Sequence, residues 1–135
     1  MFSKRQNKPQ DRIDSLVGAA TRIEGNLHFS GGLRVDGEIN GNVTAALDKP
    51  STLVLSEHGR VNGEISVTHL VINGMVVGSV SAADYLELQS KAKVVGDVRY
   101  KTLEIQLGAI VEGKLLHLED AATDKVVAFK LGSAE

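Results

Sequence analysis

Apolar residues in this chain alternate with polar ones in short runs, and glycine interrupts the runs at regular points. One unit, a β-branched residue, any residue, Gly, any residue, then a β-branched residue or Leu, occurs six times. Its copies begin at Ile23, Ile39, Val61, Val76, Val94 and Val111, spaced by 16, 22, 15, 18 and 17 residues. A second unit precedes it: Leu53-Val54-Leu55, Leu86-Glu87-Leu88 and Leu103-Glu104-Ile105 each start eight residues before the next β-branched position, with a small residue (Gly59, Ala92, Ala109) two before it. The turns starting at Leu33 and Leu70 are two residues shorter and carry Gly37 and Gly74 instead. Alternation with period two is the mark of a strand with one buried face. The glycines fall where the chain must turn a corner or pass close to another backbone.

A repeat of 15–22 residues is too short for a helical hairpin or a propeller blade and suits one coil of a parallel β-solenoid. The expected fold is therefore all-β: a single right-handed parallel β-helix of about six turns with disordered terminal tails. At a strand spacing of about 4.8 Å its rod is roughly 29 Å long. Right-handedness follows from the general preference for right-handed parallel crossovers and from spacings that are mostly not multiples of six, the unit of left-handed β-helices. Residues 1–14 read as a flexible basic tail, 15–130 as the β-helix domain and 131–135 as a short tail. The stretch 44–51, with Asp48-Lys49-Pro50, accounts for the longest interval as a loop at one corner. After Leu115 the repeat fades into an acidic turn, and Val126-Val127-Ala128-Phe129 reads as one last strand.

Composition narrows the chemistry. The 135 residues contain 42% hydrophobic but only 4% aromatic side chains and no Trp, so the core is built from Val, Ile and Leu. With 15 basic and 17 acidic residues, the near-neutral balance argues against broad nucleic-acid binding. The chain has no cysteine, which removes disulfide and thiolate chemistry. It also has no apolar run long enough to span a bilayer as a helix and no secretory signal pattern. Any membrane contact is expected to be peripheral.

No catalytic, cofactor or metal site emerges. His28, His58, His69 and His117 share no register within the repeat, and exposed corners or turns account for them better than zinc ligation. Glu119-Asp120 sits in a turn with no cleft to oppose two carboxyls. The glycines lack the strand–loop–helix setting of a phosphate-binding loop, and no serine stands in a glycine-flanked elbow. The chain reads as a non-enzyme.

Outward positions say more. Glu24, Asn40, Asn62, Val77, Val95 and Glu112 occupy the residue before each repeat glycine, so Val77 and Val95 form a small exposed apolar stripe on neighbouring coils. Either these are isolated surface valines or they mark a side-by-side contact between rods. At the N-terminus, Met1 and Phe2 stand beside Lys4, Arg5 and Lys8. Such a tail suits an anionic membrane surface, with each cation contributing on the order of 1 kcal/mol; a merely solubilising tail fits the same residues.

The stretch from Ser15-Leu16-Val17-Gly18 through Leu33-Arg34-Val35-Asp36-Gly37-Glu38-Ile39 to Ile39-Asn40-Gly41-Asn42-Val43 resembles the opening of a bactofilin domain, and the later repeats continue the likeness to about Leu118. The resemblance implies a bacterial cytoskeletal scaffold that polymerises end to end without nucleotide into non-polar filaments. It further implies a place at the inner face of the cytoplasmic membrane, where the polymer localises a cell-wall synthesis or remodelling protein. Met1-Phe2-Ser3-Lys4 is similar to the membrane-targeting peptide of some members. Phe129 best fits the aromatic residue at the polymerising edge, and the chain departs from many members in lacking a Pro-rich tail. Independently of the family, a coil end presents unpaired backbone groups beside core side chains. Leu16 at one end and Leu116, Leu118 and Phe129 at the other are the expected polymerisation interface. Two other classes stay open: a monomeric or dimeric β-solenoid adaptor, and a trimeric left-handed β-helix enzyme.

Overall fold

A computed structural model describes residues 12–119, and every regular element among them is a β-strand. Three strands build each coil, so six coils stack into a solenoid with three faces. The first face holds β1 (Ser15–Val17), β4 (Gly31–Val35), β7 (Ser51–Leu55), the second half of β9 (Ile65–Ile72), the second half of β11 (Val80–Leu88) and β14 (Leu103–Ile105). The second holds β2 (Arg22–Glu24), β5 (Glu38–Asn40), β8 (Arg60–Asn62), β10 (Met75–Val77), β12 (Lys93–Val95) and β15 (Ile110–Glu112). The third holds β3 (Leu27–Phe29), β6 (Val43–Ala45), the first halves of β9 and β11, β13 (Val98–Tyr100) and β16 (Leu115–His117). All the strand pairings are parallel.

Because the coils stack in register, alternation within a strand becomes a column along the rod. Leu33, Leu53, Leu70 and Leu86 form one internal column and Val35, Leu55, Ile72 and Leu88 a second. The second face supplies Ile39, Val61, Val76 and Val94; the third supplies Val43, Ile65, Val80 and Val98. None of these sixteen side chains is more than 2% exposed. Burying an aliphatic side chain is worth about 1.5–3 kcal/mol, so these columns carry the fold.

The repeat glycines form their own column at the corner between the second and third faces. A Cβ on Gly41 would lie 2.1 Å from the Gly25 carbonyl oxygen, one on Gly63 2.1 Å from that of Gly41, and one on Gly78 2.2 Å from that of Gly63. Gly96 and Gly113 repeat the contact. The backbones therefore approach too closely for any side chain, which explains why glycine recurs here and nowhere else with such regularity.

The corner between the third and first faces is irregular. β9 and β11 run through it, and their register shifts between Ala82 and Tyr85. The loop expected over 44–51 is shorter than that, since Thr44 pairs with Ser66 and Ser51 already belongs to β7. Beneath it lies a buried polar knot: the Ser51 N–H donates to Thr68 Oγ1 at 2.8 Å, Thr68 Oγ1 donates to the Ser51 carbonyl at 2.8 Å, and His69 Nδ1 lies 2.9 Å from the same hydroxyl. His69 thus corrects the expectation of four exposed histidines; it is buried between its parallel neighbours Thr52 and Tyr85, with its ring hydrogen-bonded to Thr68.

Candidate functional site: the open C-terminal coil

The sixth coil has a neighbour on one side only among the described residues. β14 pairs with β11, β15 with β12 and β16 with β13, which leaves the outer backbone edge of all three unpaired within this set. Its column residues are Leu103, Ile105, Val111 and Leu115. Ile105 is 50% exposed and Leu115 47%, whereas Leu88 and Val98, one coil inward in the same columns, are fully buried. Leu103 and Val111 are partly exposed. Leu107, at the tip of the corner turn between β14 and β15, is 95% exposed; the corresponding tips of earlier coils carry Glu57-His58 and Ser90-Lys91.

The terminal coil is held firmly to the body. The Tyr85 hydroxyl donates to Glu104 at 2.7 Å and lies 3.3 Å from a Glu87 carboxylate oxygen. Gln89 and Gln106 donate to Glu87 at 3.1 and 3.4 Å. Burial first, and then the hydrogen bond to Glu104, push the Tyr85 phenol pKa well above its usual value. On the third face the Lys114 N–H donates to Asp97 at 3.1 Å, and the His117 ring packs on Tyr100 with centroids 5.6 Å apart. Among the described residues the end is thus a platform of partly covered apolar side chains beside an unpaired backbone edge.

The opposite end differs. Asp14 accepts the Gly32 N–H at 3.0 Å, while the Asp14 N–H donates to the Gly32 carbonyl, so residues before β1 extend the pairing. That backbone hydrogen bond, helped by Arg12, holds the Asp14 carboxyl below its usual pKa. Ser15 occupies the column of Leu33, and Val17 is buried.

Of the residues expected at the polymerisation interface, Leu16 is exposed but points sideways, in register with Arg34 on the outer surface of the first face. Leu116 likewise faces outward, beside Arg99, and Leu118 is half-buried with its N–H donating to the Tyr100 carbonyl at 2.6 Å. Phe129 and the tail residues Met1, Phe2, Lys4, Arg5 and Lys8 lie outside the described residues. Val77 and Val95 are neighbours on the outer surface of the second face. Leu103, Ile105, Val111 and Leu115 were not singled out from the sequence, although being the last members of their columns was a usable signal.

Elsewhere among the described residues the charged side chains of the main groove are paired with one another. A groove of about 400 Å³ along the corner of the first and second faces is lined by Arg34, Asp36, His58 and Asn73 among others. Arg34 pairs with Asp36 at 2.9 Å, and Glu57 pairs with Lys91 at 3.3 Å and lies 3.4 Å from His58. Among the described residues no three His, Cys, Asp or Glu side chains gather to hold a metal ion, and no helix is long and apolar enough to cross a membrane.

Comparison with known proteins matches residues 15–116 to the bactofilin family, described as polymer-forming cytoskeletal. Bactofilin BacP of Myxococcus xanthus (strain DK1622) is 29% identical over 116 residues, covering 85% of this chain and 47% of BacP. Bactofilin BacO of the same organism is 26% identical over 102 residues, covering 76% of this chain and 78% of BacO. The chain thus spans about half the length of BacP. No solved structure matches significantly.

Proposed function

This chain belongs to the bactofilin family of polymer-forming cytoskeletal proteins, and on that premise we propose that it assembles end to end, without nucleotide, into non-polar filaments. We place these filaments at the inner face of the cytoplasmic membrane, where they hold a cell-wall synthesis or remodelling protein in position. The open sixth coil carries the reading. Covering its four partly exposed column residues contributes roughly 1 kcal/mol each, and a facing coil supplies partners for the unpaired strand edges. A rod whose two ends each pair with their own kind through a two-fold axis forms a filament without polarity. The basic tail with Met1 and Phe2 gives each subunit a weak hold on anionic lipid, and a polymer multiplies that hold by avidity.

Negative-stain microscopy of the purified chain, with no nucleotide or metal added, is expected to show thin filaments. The double variant Ile105→Glu/Leu115→Glu keeps its circular dichroism and loses the filaments, because both side chains are about half exposed in the single rod. Filaments persisting in that variant refute the role of the open coil. Deleting residues 1–8 is expected to abolish co-sedimentation of the polymer with anionic vesicles while leaving filaments intact.

A further inference from the structure

Three asparagines in this chain stand directly before a glycine: Asn40, Asn62 and Asn73. With no Cβ on the following residue, the backbone nitrogen of each pair is open to attack on the asparagine side chain. The fold treats the three pairs differently. Asn40 and Asn62 end strands of the second face, and the N–H after each is held by the next coil. Gly41 donates to the Asn62 carbonyl at 3.0 Å and Gly63 to the Val77 carbonyl at 2.9 Å. Their side-chain amides are held as well: Asn40 Nδ2 donates to Glu24 at 3.0 Å, and Asn62 Nδ2 donates to Asn40 Oδ1 and lies 3.4 Å from Glu38.

Asn73 sits instead in the short corner between β9 and β10. Its own N–H donates to the Leu55 carbonyl at 2.8 Å, and the Gly74 carbonyl accepts the Lys93 N–H at 2.9 Å. The Gly74 N–H, however, has no acceptor among the described residues. Asn73 Nδ2 has no partner among them either, while Asn73 Oδ1 accepts the Lys91 N–H at 2.9 Å. The side chain lines the groove of about 400 Å³, where water reaches it.

We propose that Asn73 is a site of spontaneous covalent modification, cyclising onto Gly74 and hydrolysing to aspartate and isoaspartate, while Asn40 and Asn62 are protected. The Gly74 nitrogen gives its proton to solvent hydroxide and bonds to Asn73 Cγ. The Cγ–Nδ2 bond breaks, and Nδ2 takes a proton from water and leaves as ammonia. Water then opens the cyclic imide at one carbonyl or the other. The attacking nitrogen and the leaving nitrogen are both unbonded at Asn73, and the Lys91 N–H draws electron density from the carbonyl under attack. At Asn40 and Asn62 the first two conditions fail. Either product adds a carboxylate to a groove that already holds Asp36 and Glu57. Isoaspartate also carries the main chain through one more methylene, at a corner with no room for it. A Cβ on Gly74 would lie 2.3 Å from the Ser56 carbonyl oxygen and 2.4 Å from that of Gly59, so isoaspartate loosens coil four against coil three.

The full chain, aged at mildly alkaline pH, is digested and read by fragmentation mass spectrometry at the three asparagines. A sample unfolded in guanidinium and aged beside it gives the rate of each pair without the fold. In the folded chain Asn73 is expected to convert several-fold faster than Asn40 and Asn62, relative to those reference rates, with isoaspartate detected by enzymatic methylation of its carboxyl. Equal relative rates, faster conversion at Asn40 or Asn62, or conversion at none of the three in the folded chain overturn the proposal. Asn73→Gln gives a second readout, because its longer side chain cyclises far more slowly. The unfolding midpoint of the wild type is expected to fall with age while that of the variant holds, and a parallel decline in both overturns the loosening of the corner.

Discussion

Replacing Gly78 by Ala tests the glycine column that lets the coils stack. The added Cβ would sit 2.2 Å from the Gly63 carbonyl oxygen and 2.6 Å from its carbon, at a φ of +147°. The backbone conformation alone costs an L-residue roughly 1–2 kcal/mol, and forcing a methyl against a backbone that is held by hydrogen bonds on both sides adds about 1–3 kcal/mol. The expected loss is about 2–5 kcal/mol. Gly25, in the first coil, supplies the control: it has φ +128°, yet nothing lies within 4 Å of its Cβ position. Gly25→Ala should therefore lose only the conformational part, about 1–2 kcal/mol. Gly18, with open space and no positive φ, should be nearly indifferent to Ala. Urea unfolding followed by circular dichroism at one protein concentration reads the series. With an m-value of roughly 1–2 kcal/mol/M, the Gly78→Ala midpoint falls by about 2 M and the Gly25→Ala midpoint by about half that. Equal losses at Gly25 and Gly78 would refute the steric account of the column.

Two further substitutions probe the polar supports. Thr68→Val keeps the shape but leaves the buried Ser51 N–H without its acceptor, so a loss of about 2 kcal/mol is expected in the same unfolding assay; a loss under about 0.5 kcal/mol would show that the knot beneath the 46–50 loop is dispensable. Asp14 has a folded pKa below its usual 3.8. Its stabilising contribution is therefore complete above the unfolded pKa and disappears as pH falls through the lower folded value. The stability gap between wild type and Asp14→Asn should hold from neutral pH to about pH 5 and close below the unfolded pKa of about 3.9, and a gap that stays constant down to pH 2 would contradict this.

Strand positions and column membership were legible because period-two alternation and parallel stacking both act residue by residue. Ile39, Val61, Val76 and Val94 could be aligned from their spacing to glycine and do form one column. The short corners at Gly37 and Gly74 were visible for the same reason. The loop at the third corner was placed two residues too wide at one end and one at the other, since Thr44 and Ser51 carry small polar side chains that suit a loop as well as a strand edge. The sequence pattern suggests an exposed His69, but its burial depends on Thr68, which hydrogen-bonds its ring, and on the parallel pairing that sets it between Thr52 and Tyr85. Leu16 and Leu116 are apolar and near the ends, but parity within a three-residue strand turns them sideways and gives the end columns to Val17 and Leu115.

What the sequence determined by itself is the solenoid: where the strands lie, how many coils there are, which residues share a column, and where backbones meet too closely for a side chain. These follow from local alternation and from a repeat that makes every coil the template of the next. What only the tertiary structure decided is exposure. Ile105 and Leu88 have the same place in the repeat, and one is half open while the other is sealed, because burial depends on whether another coil lies above.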